Sequence, residues 1–197
     1  MRLLLASRSA TRRHMLEAAG VPFEPVSAEL DEEAAKAGLE AAGFDPRGIA
    51  EELAQLKALS VRAGEDALIV GSDQTLELED GAMLGKPRSR EEAFDQLSEL
   101  SGRTHLLHSA AVVAEAGEAV WWHCETVELT MRRLGRAFLE DYLEREYHNV
   151  RGSVGGYRVE GLGAQLFERI EGGHFAVLGL PLLPLLGYLR ERGLLKS

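Results

Sequence analysis

Apolar residues fall along this chain in two rhythms. Leu3-Leu4-Leu5-Ala6 and Ala67-Leu68-Ile69-Val70 are short continuous apolar runs bounded by polar residues, the pattern of strands covered on both faces. Elsewhere apolar positions recur every three or four residues. Met15, Leu16 and Ala19 form an inward stripe over 11–19, which Gly20 ends. Ile49, Leu53, Leu56 and Leu59 form another over 48–63, just after Pro46. Ser89 and Glu92 stand in capping-box spacing before a helix over 90–100 that Ser101-Gly102 closes.

The second half is richer in strands. Two long runs, 104–114 and 119–131, flank a turn around Ala116-Gly117-Glu118 and read as a hairpin. A shorter hairpin signal stands at Asp80-Gly81. A helix over 136–147 follows, carrying Phe138, Tyr142 and Leu143, then a Gly-rich stretch over 152–163. Strands are expected over 164–170 and 175–178, separated by Gly172-Gly173, before a last apolar helix. Alternation of helix and strand early, with strands gathered later, predicts an α/β protein: a mixed twisted sheet with flanking helices. No repeat, low-complexity tract or flexible linker interrupts the 197 residues, so one domain spanning 1–197 is expected.

Composition narrows the function. Hydrophobic residues at 45% and charged residues at 27% describe a soluble globular chain with a sizeable core. A formal net charge of −10 argues against broad binding to nucleic acid or anionic lipid, which need an extended basic face. It leaves room for a local basic cluster around one phosphorylated small molecule. The single cysteine, Cys124, excludes an internal disulfide. The start lacks the apolar core of a signal peptide. The apolar stretch 178–189 is short and broken by Pro181, Pro184 and Gly187, so no membrane partner and a cytoplasmic location are expected.

Candidate chemistry begins at the N-terminus. Ser7-Arg8-Ser9-Ala10-Thr11-Arg12-Arg13 leads from the first strand into the first helix. Cations in a first turn oppose the helix dipole unless an anion sits there, and Ser7, Ser9 and the free amides supply donors to such an anion. Arg12 and Arg13 therefore read either as phosphate ligands or as ordinary solvated arginines after a serine cap. Asp73 stands just past the expected end of the second buried strand, where open α/β sheets place ligands. It reads as a catalytic carboxylate or as a turn cap. Asp31 and Glu32 offer oxygen ligands for a hard cation, or a solvated helix start. Lys57 lies on an otherwise apolar helix face, where it binds phosphate or snorkels. Gly155 and Gly156 let backbone approach a ligand or form a plain turn. The histidines are scattered and build no metal site, and Trp121-Trp122 alternates faces of its strand, reading as a core or dimer contact.

Six segments in order carry a resemblance: residues 3–13, Leu53 to Ala58, Gly71-Ser72-Asp73-Gln74, Gly85-Lys86-Pro87, Leu100 to Thr104, and Gly179-Leu180-Pro181. Together they resemble the Maf family of nucleoside triphosphate pyrophosphatases, from about residue 3 to about residue 190. The resemblance implies an inosine triphosphatase-like fold with two lobes around a central cleft. It also implies hydrolysis of a nucleoside triphosphate to monophosphate and pyrophosphate, in the service of clearing non-standard nucleotides. Asp73 would accept the proton from water, and a divalent cation, Mg²⁺ or Mn²⁺, would be held by Glu32 and Asp73. Ser7, Ser9, Arg12, Arg13, Lys57 and Lys86 would bind phosphate, the last four basic residues converging on one cleft. Thr11, Gln74 and Glu160 would read the base.

Gln74, together with Val159 to Gly163 and Leu166 to Arg169, is similar to the branch associated with 7-methyl-GTP. Thr11 departs from it, since that branch often carries Trp there. A homodimer is expected as the assembly. The family's association with blocking septum formation implies an alternative, a nucleotide-responsive interaction protein, but this chain retains Asp73 and Lys86, which a pure binder could lose.

Overall fold

The computed structural model describes residues 1–64 and 66–196. Its strands are β1 (Arg2–Ala6), β2 (Glu24–Val26), β3 (Ala67–Glu77), β4 (Met83–Leu84), β5 (Thr104–Glu115), β6 (Glu118–Met131) and β7 (Phe167–Glu171). Its helices are α1 (Ala10–Ala18), α2 (Glu32–Ala41), α3 (Pro46–Leu59), α4 (Arg90–Leu100), α5 (Arg136–Val150), α6 (His174–Val177) and α7 (Leu182–Glu191). Short 3-10 turns occupy Val154–Gly156 and Leu162–Leu166. The strands pair in the order β2-β1-β3-β5-β6-β7, with β4 on β3. Parallel and antiparallel pairings coexist, so the sheet is mixed, as expected. No described helix is long and apolar enough to cross a membrane.

The chain forms two compact units and passes from one to the other within β3, β5 and β6 and again between Gly172 and Gly173. The first comprises Met1–Gln74, His108–Glu125 and the residues from Gly173 onward. Strand β1 and the first half of β3 are buried on both faces, which is why they read as unbroken apolar runs. Leu3, Leu5, Leu68, Val70, Ala111 and Val113 face one way, against Met15 and Leu16 of α1 and Leu182, Leu185 and Leu189 of α7. Leu4, Ala6, Ile69, Ala110 and Val112 face the other way, against Ala50, Ala54 and Ala58 of α3. The side chains of α3 that meet the sheet are small for a reason. Gly71 brings the backbones so close that an added Cβ would lie 2.1 Å from the Ala54 carbonyl oxygen and 2.5 Å from the Ala58 nitrogen.

The second unit comprises Thr75–Leu107 and Thr126–Gly172. β4 turns back on β3 with Leu76 opposite Leu84, as the Asp80-Gly81 signal predicts. β7 lies antiparallel to β6 with Leu129 opposite Ile170. Leu76, Leu97, Leu100, Leu107, Leu129, Met131, Leu139 and Leu143 are fully buried. Ser89 caps α4 by accepting the Glu92 N–H at 3.1 Å, while the Glu92 carboxylate accepts from the Arg88 N–H instead of closing the box on Ser89.

Three expectations are corrected. β3 does not end near Gly71 but runs on through Asp73 to Glu77: its pairing with β1 stops at Ala6 opposite Gly71, while β5 borders it on the other side and β4 joins it at Leu76 and Glu77. Residues 175–178 belong to a helical turn, not a strand: Gly179, at φ 94°, reverses the chain, and side chains take up the carbonyls of α6. Strand β7 starts only at Phe167, since residues 162–166 coil into a 3-10 turn.

Candidate active site

Asp73 lies two residues beyond Gly71, the last β3 residue paired with β1, so its carboxylate clears the neighbouring strand while remaining inside β3. Pro46 and Asp45 start α3: the Asp45 carboxylate accepts the Gly48 N–H at 2.7 Å, and Pro46 takes the first turn, where no N–H is needed. From that start the buried face runs Ile49, Ala50, Leu53, Ala54, Lys57 and Ala58. Leu56 is only half-buried and Leu59 exposed, so the apolar stripe read from the sequence is rotated to take in Lys57.

Lys57 does not snorkel. Its side chain is 7% exposed, and its ammonium lies 2.5 Å from Asp73 Oδ1 and 2.9 Å from Glu32 Oε2. Glu32 begins α2, which Asp31 caps by accepting the Ala34 N–H at 3.1 Å. The two adjacent acids are thus separated in role: Asp31 serves its own helix and Glu32 reaches Lys57. On its other oxygen Glu32 meets the exposed Arg8 guanidinium at 3.6 Å. A line of alternating charge therefore runs from the surface inward: Arg8, Glu32, Lys57, Asp73.

Arg12 and Arg13 part company, because consecutive helical positions do not share a face. Arg12 is buried; its Nε donates to the Gly179 carbonyl at 2.7 Å and its Nη1 to the Ser72 carbonyl at 2.7 Å. Burial lowers its pKa, and the carboxylates of Asp73 and Glu32 act in the opposite direction. Arg13 lines a surface groove of about 490 Å³ with Glu17, Val21, Phe23 and Pro25, and none of Lys57, Asp73 or Glu32 borders it. The expected convergence of both arginines on one cleft is thus not what the structure shows. Ser9 caps α1 by accepting the Arg12 N–H at 3.3 Å, and Ser7 accepts the Ser9 N–H at 3.2 Å. Each hydroxyl keeps its own hydrogen to donate. Thr11 is half-buried on α1.

Gln74 spends its amide nitrogen on the fold, at 2.8 Å from Ser109 Oγ and 3.0 and 3.2 Å from the Ala176 and Val177 carbonyls. Ser109 also donates to Ala176 at 2.6 Å, and Ser72 to Gly179 at 3.1 Å. Ser72, Gln74, Ser109 and Arg12 thus satisfy the carbonyls at the end of α6 and the turn after it. The Gln74 oxygen is the end of that side chain left to accept from a ligand. Ser72 was legible as part of the 71–74 run; Ser109 lies in an apolar strand with no local signal.

Lys86 and Glu160 belong to the second unit. Lys86 is exposed between β4 and α4. Glu160 accepts from Arg158 Nε at 3.1 Å. Gly155 and Gly156 form a tight turn: a Cβ on Gly155 would meet Leu76 Cδ1 at 2.6 Å.

Glu32 and Asp73 both lie within 3 Å of one ammonium, close enough to share one cation. Two carboxylates suit Mg²⁺ or Mn²⁺, which complete their shells with water and phosphate oxygens. Among the described residues no group of three or more His, Cys, Asp or Glu side chains is gathered for a metal. The donor set thus fits a cation held jointly with substrate and not a closed protein cage.

The chain as a whole is similar to known proteins. A family described as Maf-like protein matches residues 2–192. A nucleoside triphosphate pyrophosphatase of Sphingopyxis alaskensis is 45% identical over 195 residues, 98% of each chain. Another, from Caulobacter vibrioides, is 47% identical over 191 residues, 97% of this chain and 96% of its own. A 7-methyl-GTP pyrophosphatase of Rhizobium meliloti is 47% identical over 192 residues, covering the same shares.

Proposed function

The chain belongs to the Maf family, and from that premise we propose that it is a pyrophosphatase that splits a nucleoside triphosphate between the α and β phosphates. The observation that carries this reading is the Lys57–Asp73–Glu32 cluster: a carboxylate held in a strand, beside a cation and a second acid. In the proposed reaction Asp73 takes a proton from the attacking water, and the hydroxide formed displaces pyrophosphate from the α phosphorus. Lys57 orients the Asp73 carboxylate and keeps its lone pairs directed. Ser7, Ser9 and the amides at the start of α1 donate to phosphate oxygens. Lys86 keeps the role the family pattern gives it, a point charge for a non-bridging oxygen. A divalent cation held by Glu32 and Asp73 would neutralise charge on the phosphates when bound. Arg12, fixed to the Ser72 and Gly179 carbonyls, holds β3 and the turn after α6 in place around Asp73.

For the base we propose 7-methylguanine or a similar modified purine. The family pattern assigns Gln74 and Glu160 to the base: an amide oxygen at 74 can accept from a guanine edge, and a carboxylate at 160 favours a cationic base over a neutral one. Thr11 offers no aromatic surface, which widens the range of bases admitted. Relatives named as 7-methyl-GTP pyrophosphatases support this choice, and none of the names cited above supports the septum-inhibitor alternative. The test is kcat/KM for 7-methyl-GTP relative to dTTP. A ratio above one is expected in the wild type, eroded by roughly 1–3 kcal/mol in Glu160→Gln with other triphosphates still hydrolysed. A wild-type ratio below one refutes the assignment of the base, and no hydrolysis of any triphosphate refutes the reaction.

A further inference from the structure

We propose that Ser109 is a positioning residue for specificity: it aims the Gln74 amide so that the oxygen, and not the nitrogen, faces the substrate. The inference rests on the reading above in which Gln74 meets the base. Ser109 lies in β5, next to β3 in the sheet, and is fully buried. A hydroxyl there, in a stretch that runs on as Ala110, Ala111, Val112 and Val113, costs free energy unless it is hydrogen-bonded. Both of its capacities are used: it donates to the Ala176 carbonyl at 2.6 Å and accepts from Gln74 Nε2 at 2.8 Å.

A hydroxyl by itself does not choose between the two ends of an amide, since it can donate to the oxygen or accept from the nitrogen. Ser109 chooses because its hydrogen is committed. The Ala176 carbonyl can only accept, so the serine hydrogen points there and a lone pair is left toward Gln74. The nitrogen is drawn in further by the Ala176 and Val177 carbonyls at 3.0 and 3.2 Å. An amide turned over would set its oxygen against three oxygens with no hydrogen to share. The Gln74 oxygen is therefore turned the other way, toward Gly179: a Cβ there would lie 3.5 Å from Oε1. Gly179, at φ 94°, keeps that place clear of a side chain.

Holding the turn after α6 does not require Ser109. The Ala176 and Val177 carbonyls already accept from Gln74, and the Gly179 carbonyl accepts from Arg12 and Ser72. Each of these carbonyls keeps a donor without the serine. What Ser109 adds is an acceptor: its Oγ is the closest of the three oxygens around Nε2 and the only one of them that is not backbone of the turn. Without it the amide is held from one side only, by two successive carbonyls, and swings about its last bond, where the torsional wells are broad. Its oxygen then faces the base in fewer molecules, which weakens the contact to a guanine edge without touching Asp73 or Lys57.

The test is the ratio of kcat/KM for 7-methyl-GTP over dTTP in a double-mutant cycle of Ser109→Ala and Gln74→Leu, with thermal melts of every variant. Ser109→Ala is expected to lower the ratio by about three- to ten-fold, the scale of one hydrogen bond between neutral groups. Gln74→Leu lowers it as well, and the double variant no further than Gln74→Leu alone. Ser109→Thr, which keeps the hydroxyl on the same carbon, restores the ratio. Should Ser109→Ala not fold, Ser109→Cys, with its weaker acceptor, takes its place with a smaller fall. A ratio unmoved by Gln74→Leu removes Gln74 from the base and this proposal with it. A ratio lowered by Gln74→Leu but not by Ser109→Ala, or a Ser109→Ala effect that persists in full beside Gln74→Leu, overturns the proposal and leaves Gln74 reading the base.

Discussion

Lys57 holds two carboxylates with one ammonium, and nothing else in that trio carries positive charge. Lys57→Gln would leave Asp73 and Glu32 without the ammonium between them, with only the exposed Arg8 on the far oxygen of Glu32. Removing one partner of a buried ion pair costs about 3–5 kcal/mol, and the one-third exposure of Glu32 reduces that to about 2–4 kcal/mol here. Urea unfolding of the two proteins measures the difference, and a loss under about 0.5 kcal/mol would show that solvent already screens the trio. At this scale the sequence was a mixed guide. It marked Asp73 by its place just past a buried strand and Lys57 by its place on an apolar helix face, while Glu32, one of several acids at a helix start, was singled out only by the resemblance. Arg12 and Arg13 read alike as letters, although Arg12, three before Met15 and four before Leu16, falls on the inward stripe of α1 and Arg13 does not. The sequence could not show that the Gln74 amide is spent on Ala176 and Val177, which lie a hundred residues away.

At the scale of elements, the contact that aims the cluster is β3 on α3. Gly71 admits the α3 backbone, and Lys57 lies one position before Ala58, the residue Gly71 touches. Gly71→Ala would put a methyl 2.1 Å from the Ala54 carbonyl oxygen, so α3 must shift. Overpacking of this kind costs about 1–3 kcal/mol or more. The expected result is a lower melting temperature together with lower kcat, whereas an unchanged kcat would show that α3 does not position Lys57.

In the second unit, β5 carries His105, whose Nε2 lies 2.7 Å from the buried Tyr157 hydroxyl. Burial pushes the His105 pKa down to about 4. The unfolded chain binds its proton near pH 6.5, the folded chain not until about pH 4, so stability is full above 6.5 and falls as pH drops between those values. The slope is at most about 1.4 kcal/mol per pH unit. His105→Gln keeps a donor for Tyr157 and does not titrate, so its urea midpoint should fall less than the wild type's between pH 7 and pH 4.5. Equal falls would show that His105 does not carry the dependence.

Elements with a strong local signature, such as β1, α4 and the β5–β6 hairpin, were legible from periodicity and caps. α6 was not, because three of its four residues form an apolar run that reads as a strand, and its helical turn is set by Gly179 and by side chains from distant strands.

For the molecule as a whole, a protein of net charge −10 is proposed to act on a polyanion. That requires donors and cations that are local, such as the hydroxyls and amides at the start of α1, and not a charge spread over a face. The reading stands or falls on where the triphosphate is cut. The direct measurement is ³¹P nuclear magnetic resonance of the products when wild type and Asp73→Asn act on 7-methyl-GTP with Mg²⁺ or Mn²⁺ present. The account predicts monophosphate and pyrophosphate in equal amounts from the wild type, and turnover lower by about 10²-fold or more in a folded Asp73→Asn. Diphosphate with orthophosphate, or near-normal turnover in the variant, would contradict it.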